Sequence, residues 1–410
     1  MAEKIQTHLI LIILFFLPAY LIKIKFGWVS FNTLELLISL LFVVWAFNKE
    51  KKYPATAGPR QGGDFLISRQ YLIPVILIFA GLLLSVIANK NYYIGLGAIK
   101  GWFVLPIIFG VIFYDALKKD ESLLKKALLA LFFSGAAVSV MGAVYKFSGL
   151  LTYDGRLRIF YDSPNQLGMF LAIPFLIGIS FFALKLSLSR LLRLSFSFGF
   201  ALIGLNLYST YSYGTWVAIL VSLFAIFWLK CRTFRHRVGL LILIFLAAII
   251  IGQMKIQKLE DLENFGGRSS LDSRIMIWRS AGLMIENNPL FGIGPGNFQN
   301  KYLEYQKYFP PYLEWAVPQP HNLFLTFWLE AGLIGLVGFV LLLVQFFKDN
   351  KKAIQHDREM ALICLGIIIY FLAHGLIDTT YWRNDMAVVF WAIIAVNYYL
   401  ASKNKTLAQS

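Results

Sequence analysis

Charge is scarce in this chain. Of its 410 residues only 15% are Asp, Glu, Lys or Arg, while 58% are hydrophobic and the mean hydropathy is +0.66. Soluble globular domains carry roughly 25% charged residues, so the balance excludes a water-soluble enzyme or binding module. Cysteine is nearly absent. Cys231 falls in a basic loop and Cys364 inside an apolar run, which argues against a disulfide framework and a cysteine metal site. Acidic residues are few, 22 against 38 Lys and Arg, giving a formal net charge of +16. The basic residues lie mostly in short loops between apolar segments, so membrane topology explains the excess and nucleic acid is not an expected partner. The chain also lacks an HExxH motif, a spaced carboxylate set, an internal repeat and a low-complexity tract, and no metal or other cofactor is expected. Its first apolar run, from Leu9, has no small-residue cleavage site and reads as a membrane helix rather than a removable leader.

What is there is a succession of apolar runs. A spanning helix needs roughly 20 apolar residues, and about twelve candidates meet or approach that length. They run near 8–22, 31–47, 71–88, 95–114, 126–147, 165–184, 194–210, 214–229, 238–252, 322–347, 360–377 and 385–401, the second and ninth being short. The expected fold is therefore an all-α integral membrane protein, one polytopic domain over 1–410. Loops rich in Lys and Arg, at 49–69, 118–126, 185–193, 230–237 and 348–358, are expected in the cytoplasm together with both termini. The stretch 49–60, with Pro54, Gly58 and Pro59, reads as a solvated loop. The loops at 89–94, 148–164, 211–213, 253–321 and 378–384 are expected on the opposite side.

One of these outer loops, 253–321, is far longer than the rest, and any chemistry is expected there. A structureless loop of that length would be unusual. Residues 273–286 predict a helix, with Ile275, Trp278, Leu283 and Ile285 on its apolar face and Asp272 or Ser273 as its cap. Gly292-Ile-Gly294-Pro-Gly296 predicts a turn and not a phosphate loop, because no strand precedes it. Aromatic residues between Phe298 and Trp315 read first as an interfacial belt, although such rings also suit stacking on sugar faces.

The candidate chemical groups are mostly arginines. A guanidinium stays charged and grips phosphate in two-pronged fashion, which fits Arg156, Arg158, Arg268, Arg274 and Arg279 to an anionic lipid headgroup. The plainer alternative is that these side chains snorkel to membrane phosphates or pair with Asp154, Asp162, Asp261 or Asp272. His321 re-enters the membrane between Pro320 and Asn322, where a neutral imidazole could take a proton from a hydroxyl or merely cap a helix. His374 and Asp378, one helical turn apart and close to Arg383, predict a second polar cluster, read as an internal ion pair. Lys100 lies near the outer end of the fourth run, within snorkelling distance of water, and Glu330 lies two turns inside the tenth, where it must face protein.

Several of these stretches together resemble the O-antigen ligase and polymerase superfamily of bacterial envelope glycosyltransferases, and the ligase most of all. They are Arg274-x-x-x-Trp278 followed by Asn288-Pro-Leu-Phe-Gly-Ile-Gly-Pro-Gly-Asn-Phe298, then Pro320-His321-Asn322 followed by Leu329-Glu330-Ala-Gly332, and Arg158-Ile-Phe-Tyr-Asp-Ser-Pro164-Asn165. The resemblance implies transfer of a glycan from undecaprenyl diphosphate to a sugar hydroxyl of lipid A-core. It implies a metal-independent, inverting reaction at the periplasmic face of the inner membrane. On the resemblance Arg274 and His321 would be catalytic; joined to the reading of the residues above, Arg156, Arg158 and Arg268 are expected to bind the diphosphate, with Asn165, Tyr213, Trp278, Asn322, Glu330 and Lys100 in support. Many members carry an arginine in the turn before the eighth segment; this chain has Tyr213 there. A polymerase, with a second carrier-linked repeat as acceptor, and a protein O-oligosaccharyltransferase remain alternatives. From another class, a lipid or solute transporter suits twelve helices equally, but it predicts charges at mid-membrane, where this chain has almost none.

Overall fold

A computed structural model describes residues 2–27, 29–52, 68–183, 189–230, 239, 248, 270–310 and 317–407. The predicted run at 238–252, Arg268, Cys231, Asp261, Tyr312, Trp315 and most of the 49–60 loop lie outside the described residues, 239 and 248 aside. Apolar runs become helices because a backbone in hydrocarbon must satisfy its own amides and carbonyls. Helix α1 (Ala2–Phe15) is followed by a 3-10 turn, Leu17–Leu21, and a short antiparallel hairpin of β1 (Lys23–Phe26) and β2 (Val29–Asn32). Pro18, lacking an amide hydrogen, accounts for the early end of α1 within the first predicted run. Then come α2 (Thr33–Lys52), α3 (Arg69–Ala88), α4 (Tyr92–Ile99), α5 (Leu105–Lys119), α6 (Ser122–Phe147), α7 (Pro164–Ala183), α8 (Arg190–Ser209) and α9 (Tyr213–Lys230). A π-helical turn at Lys100–Val104 joins α4 and α5 into one rod.

Among the described residues nine helices are long and apolar enough to cross a membrane, and the protein is an all-α, multi-pass membrane protein. Each of the eleven predicted runs that are described coincides with a helix. The last three are α12 (Leu323–His356), α13 (Arg358–Gly375) and α14 (Asn384–Leu407), with α14 the most enclosed. It packs on α5 and α12, α13 lies against α9, and α3 lies along α12. That last contact is close: a Cβ on Gly81 would come within 2.3 Å of the Ala331 carbonyl oxygen, and helices in lipid associate through such small residues. Ile73, Ile76 and Ile87 of α3 are left exposed, as a lipid-facing surface requires.

The long loop folds into α10 (Ser270–Asn287) and α11 (Phe298–Tyr305), which form a small core of their own with Ile293, Val317 and Leu329. The predicted helix is present, but its face is turned. Met276, Ile277, Ala281 and Met284 are buried, Ile285 is buried as expected, and Ile275 is exposed. Asp272 and Ser273 sit inside the first turn rather than at the cap.

The tenth predicted run also differs from a plain span. It is broken at Gly332 (φ 67°) and continues to His356. The cause is the glycine-rich turn docked on it: Ile293 N–H donates to the Leu329 carbonyl (2.6 Å) and Leu333 N–H to the Leu290 carbonyl (3.1 Å). A side chain on Gly332 would lie 2.3 Å from the Leu290 carbonyl oxygen, so only glycine fits both the approach and the left-handed backbone.

Candidate active site

The ends of α8 and α13 and the starts of α7, α9 and α12 meet at one end of the bundle, and the loops between them carry most of the candidate groups. Asn322 anchors the arrangement. Its Oδ1 accepts from the Phe324 and Leu325 amides at 3.0 Å, capping α12, while its Nδ2 donates to the Leu376 carbonyl at 2.9 Å. The adjoining His321 is held in the left-handed region (φ 49°), a strained backbone for a non-glycine residue. Trp278 stabilises that geometry from α10, its indole N–H donating to the Pro320 carbonyl at 3.0 Å.

His321 Nδ1 lies 2.9 Å from Asp378 Oδ1, and the same carboxylate oxygen accepts the Thr379 amide at 2.8 Å. Burial alone would raise the Asp378 pKa. His321, His374 and Arg274 outweigh it and hold the carboxyl well below the usual carboxylate range. Asp378 is thus an ionised acceptor for a proton on His321 Nδ1, and in the neutral tautomer that this favours Nε2 keeps its lone pair. His374, buried one turn earlier, contacts the Tyr370 hydroxyl through Nδ1 at 2.7 Å.

Arg274 approaches this pair, and Arg156 lies in turn within electrostatic range of Arg274. Arg274 Nε donates to the Ile377 carbonyl at 2.8 Å, which places its guanidinium beside Asp378. Arg156 reaches in from the loop before α7, with Nε on the Thr210 carbonyl (2.8 Å), Nη2 on Asn165 Oδ1 (2.7 Å) and Nη1 3.8 Å from Asp154. Burial pushes the Arg156 pKa down, opposed by Asp154 and reinforced by the like charge of Arg274. Tyr213 stands within electrostatic range of Arg156. Left-handed residues Ile159 (φ 55°) and Tyr211 (φ 46°) bend the two loops, and the Leu157 amide pins one to the other through the Ser209 carbonyl at 2.8 Å.

The structure thus gathers Arg156, Asn165, Tyr213, Arg274, Trp278, His321 and Asn322. Other candidates lie elsewhere or play other parts. The Arg158 side chain is exposed. Lys100 is not a snorkelling charge but an ion pair: its Nζ lies 2.9 Å from Glu35 Oε2 and 2.7 Å from the Ser30 carbonyl, over the Phe31 ring. Glu330 faces protein as expected, accepting the Gly296 amide at 3.1 Å and so fastening the glycine-rich turn. Arg383 does not join His374 and Asp378. It grips Asp385 with two 2.7 Å hydrogen bonds and donates to the Gln166 carbonyl. Asp378 contacts His321 instead, and the Arg383 charge is still felt at His374, so the two clusters that spacing separates are one. Asp378 is the member of this cluster that sequence reasoning left out of the site; its one signal was the spacing from His374.

A paired imidazole beside two guanidinium groups can deprotonate a hydroxyl while neutralising a departing phosphate. Comparison with known proteins agrees with that chemistry over part of the chain. A family model described as O-antigen ligase matches residues 198–340, about a third of the 410, which include Tyr213, Arg274, Trp278, His321, Asn322 and Glu330 but neither Arg156 nor Asp378. The match supports a glycosyltransferase superfamily of ligase and polymerase type. An uncharacterized protein of Haemophilus influenzae is 28% identical over 117 residues, which is 28% of this chain and 29% of that protein. The chain therefore matches somewhat less than a third of the length of that relative.

Proposed function

We propose that this protein transfers a glycan from undecaprenyl diphosphate to a sugar hydroxyl of lipid A-core at the periplasmic face of the bacterial inner membrane, as an O-antigen ligase. The observation that carries the reading is the placement of Arg274 beside the His321–Asp378 pair, with Arg156 in electrostatic range of Arg274. In this mechanism the acceptor oxygen attacks the anomeric carbon and its proton passes to His321 Nε2. The carbon–oxygen bond to the diphosphate breaks, and the electron pair leaves on a phosphate oxygen neutralised by Arg274 and Arg156. Asp378 stabilises the imidazolium that results. A single displacement inverts the anomeric centre, with no nucleotide or metal required. Asn165 fixes Arg156, while Trp278 and Asn322 fix His321.

The test uses purified protein in detergent with undecaprenyl-diphosphate-linked glycan and rough lipopolysaccharide, without nucleotide or metal, followed by gel shift. Glycan joined to lipopolysaccharide by the parent, and lost in His321→Ala and Arg274→Ala, is the expected result. Longer carrier-linked chains formed without the acceptor would replace the ligase with a polymerase. Transfer to a Ser or Thr hydroxyl would identify a protein glycosyltransferase, and no transfer under any condition would return the transporter reading.

A further inference from the structure

Lys146 stands in the last turn of α6, just before the loop that carries Arg156. A lysine in that position ordinarily lends its charge to the carbonyl end of its own helix or snorkels outward to water. Lys146 instead reaches sideways to α8. Its Nζ donates to Ser209 Oγ at 2.8 Å, while the Ser209 hydroxyl donates its own hydrogen to the Leu205 carbonyl at 2.9 Å. One of the three ammonium hydrogens is thus used, and Lys146 forms no ion pair among the described residues.

The acidic residues of the neighbouring loop have other partners. Asp154 lies 3.8 Å from Arg156 Nη1 and accepts the Thr152 hydroxyl, and Asp162 acts on Tyr20, whose ring lies against Arg383. Arg156 Nε donates to the Thr210 carbonyl, one residue on from Ser209. Lys146 and Arg156 are therefore fastened to consecutive residues at the end of α8. Two cations and one carboxylate, Asp154, leave a positive charge over at this corner.

From the same corner an apolar groove of about 530 Å³ runs between α6 and α8, walled by Val140, Ala143, Val144 and Phe147 on one side and by Phe198 and Leu202 on the other. The two helices are held together at Asn206, whose Nδ2 donates to the Ser139 carbonyl at 3.0 Å. Phe198, Leu202, Leu205 and Ser209 recur at i, i+4, i+7 and i+11 and so share one side of α8. That spacing puts the bond between Lys146 and Ser209 at the head of the groove.

A cation at the head of an apolar groove suits an amphiphile with phosphate at one end and a long apolar chain behind it. Continuity with the candidate active site selects among such lipids. The head of the groove adjoins the loop that holds Arg156, to which the Leu157 amide ties Ser209 at 2.8 Å, and a diphosphate has a second phosphate with which to reach it. We propose that Lys146 binds the lipid-side phosphate of a polyprenyl diphosphate donor, whose tail follows the groove between α6 and α8. The glycan-side phosphate is then left to Arg156 and Arg274. This assignment rests on the donor proposed above and adds to it a contact that no arginine supplies.

The full chain, stripped of lipid in detergent, is offered undecaprenyl diphosphate or phosphatidylglycerol, and lipid retained through gel filtration is counted by mass spectrometry. The parent should retain undecaprenyl diphosphate in preference. Lys146→Gln should lower that retention about tenfold, the scale of one charge-assisted hydrogen bond, and Lys146→Arg should keep most of it. Ala143→Trp, which fills the groove and leaves the cation in place, should lower it as well. Lys126→Gln, the same change at the other end of α6, should leave it unaltered. Lys146 and Lys126 are both exposed, so neither variant disturbs the fold. Equal retention by the parent and Lys146→Gln overturns the phosphate contact, and unchanged retention in Ala143→Trp overturns the course of the tail. Phosphatidylglycerol retained as well as undecaprenyl diphosphate makes this an ordinary phospholipid site and overturns the carrier assignment. Glycan transfer separates the contact from the ligase reading. A parent that retains the carrier through Lys146 yet transfers nothing upholds the contact and overturns the ligase; transfer with the donor KM unchanged in Lys146→Gln overturns the contact alone.

Discussion

His321 and Asp378 stand 57 residues apart in the chain and 2.9 Å apart in space. Their contact bears on two roles for His321 that sequence leaves balanced, helix cap and proton acceptor. The amides at the start of α12 are capped by Asn322, so His321 is not the cap. What the structure shows is an imidazole oriented by a carboxylate, the arrangement that the proposed proton transfer requires.

Asp378→Asn should therefore lower transfer by about 10²-fold or more, the scale of general base catalysis, in a variant that still folds. It should also change stability with pH. The Asp378 carboxyl is held below its ordinary value in the folded protein, so the stability it contributes is present above the unfolded pKa of about 3.9 and is lost as pH falls toward the folded value. Thermal unfolding of the parent should weaken below about pH 4 more steeply than that of Asp378→Asn. Parallel curves would remove the ion pair from the account.

Arg156 makes two different hydrogen bonds through the two sides of one guanidinium, to the Thr210 carbonyl and to Asn165. A lysine carries the charge but not that fork. Arg156→Lys should raise KM for the carrier-linked donor about tenfold or more, with a smaller change in kcat, as expected for one lost charge-assisted hydrogen bond. An unchanged KM in steady-state assays would take Arg156 out of donor binding.

How much of this was legible follows from the range of the interactions. Helices were, because an apolar run in lipid has one way to satisfy its backbone. The glycine-rich turn was legible for a similar local reason, since Gly292, Gly294 and Gly296 all take positive φ. The break at Gly332 was not, because its cause is a carbonyl at Leu290 in another segment. Lys100 looked available because Glu35, its partner, is 65 residues away in sequence. Asp378 was read with His374, its neighbour along the helix, when a loop more than fifty residues upstream supplied the contact that matters. The tilt of α10 escaped for the same reason: its buried side is chosen by Phe298, Tyr302 and Leu329, not by its own periodicity.

Two glycines of the long loop should respond oppositely to alanine. At Gly292, with φ 64°, a Cβ would sit 2.1 Å from the Leu329 carbonyl oxygen, and backbone cannot move aside cheaply. Gly292→Ala should cost about 1–3 kcal/mol or more and expose the loop to trypsin. Gly282, within α10, has nothing within 4 Å of its would-be Cβ, and Gly282→Ala should stabilise by up to about 1 kcal/mol. Thermal unfolding and limited proteolysis read both.

Arg383 offers the opposite test to Asp378, because it is buried, charged and one loop away from the cluster yet belongs to a different pair. Its two hydrogen bonds to Asp385 are saturated, and the rings of Tyr20 and Tyr161 lie 5.8 Å and 5.3 Å from its guanidinium carbon. Removing one partner of such a pair strands a buried charge and costs about 3–5 kcal/mol, whereas replacing both by apolar residues of similar volume is close to neutral. Arg383→Met should thus unfold at markedly lower temperature than the parent, and Arg383→Met with Asp385→Leu should recover much of the loss. Specific activity per folded molecule should change little in the double variant, since neither side chain reaches His321. A double variant that folds well but transfers no glycan would place Arg383 in the site after all, and would return Asp378 to the ion pair that spacing alone suggests.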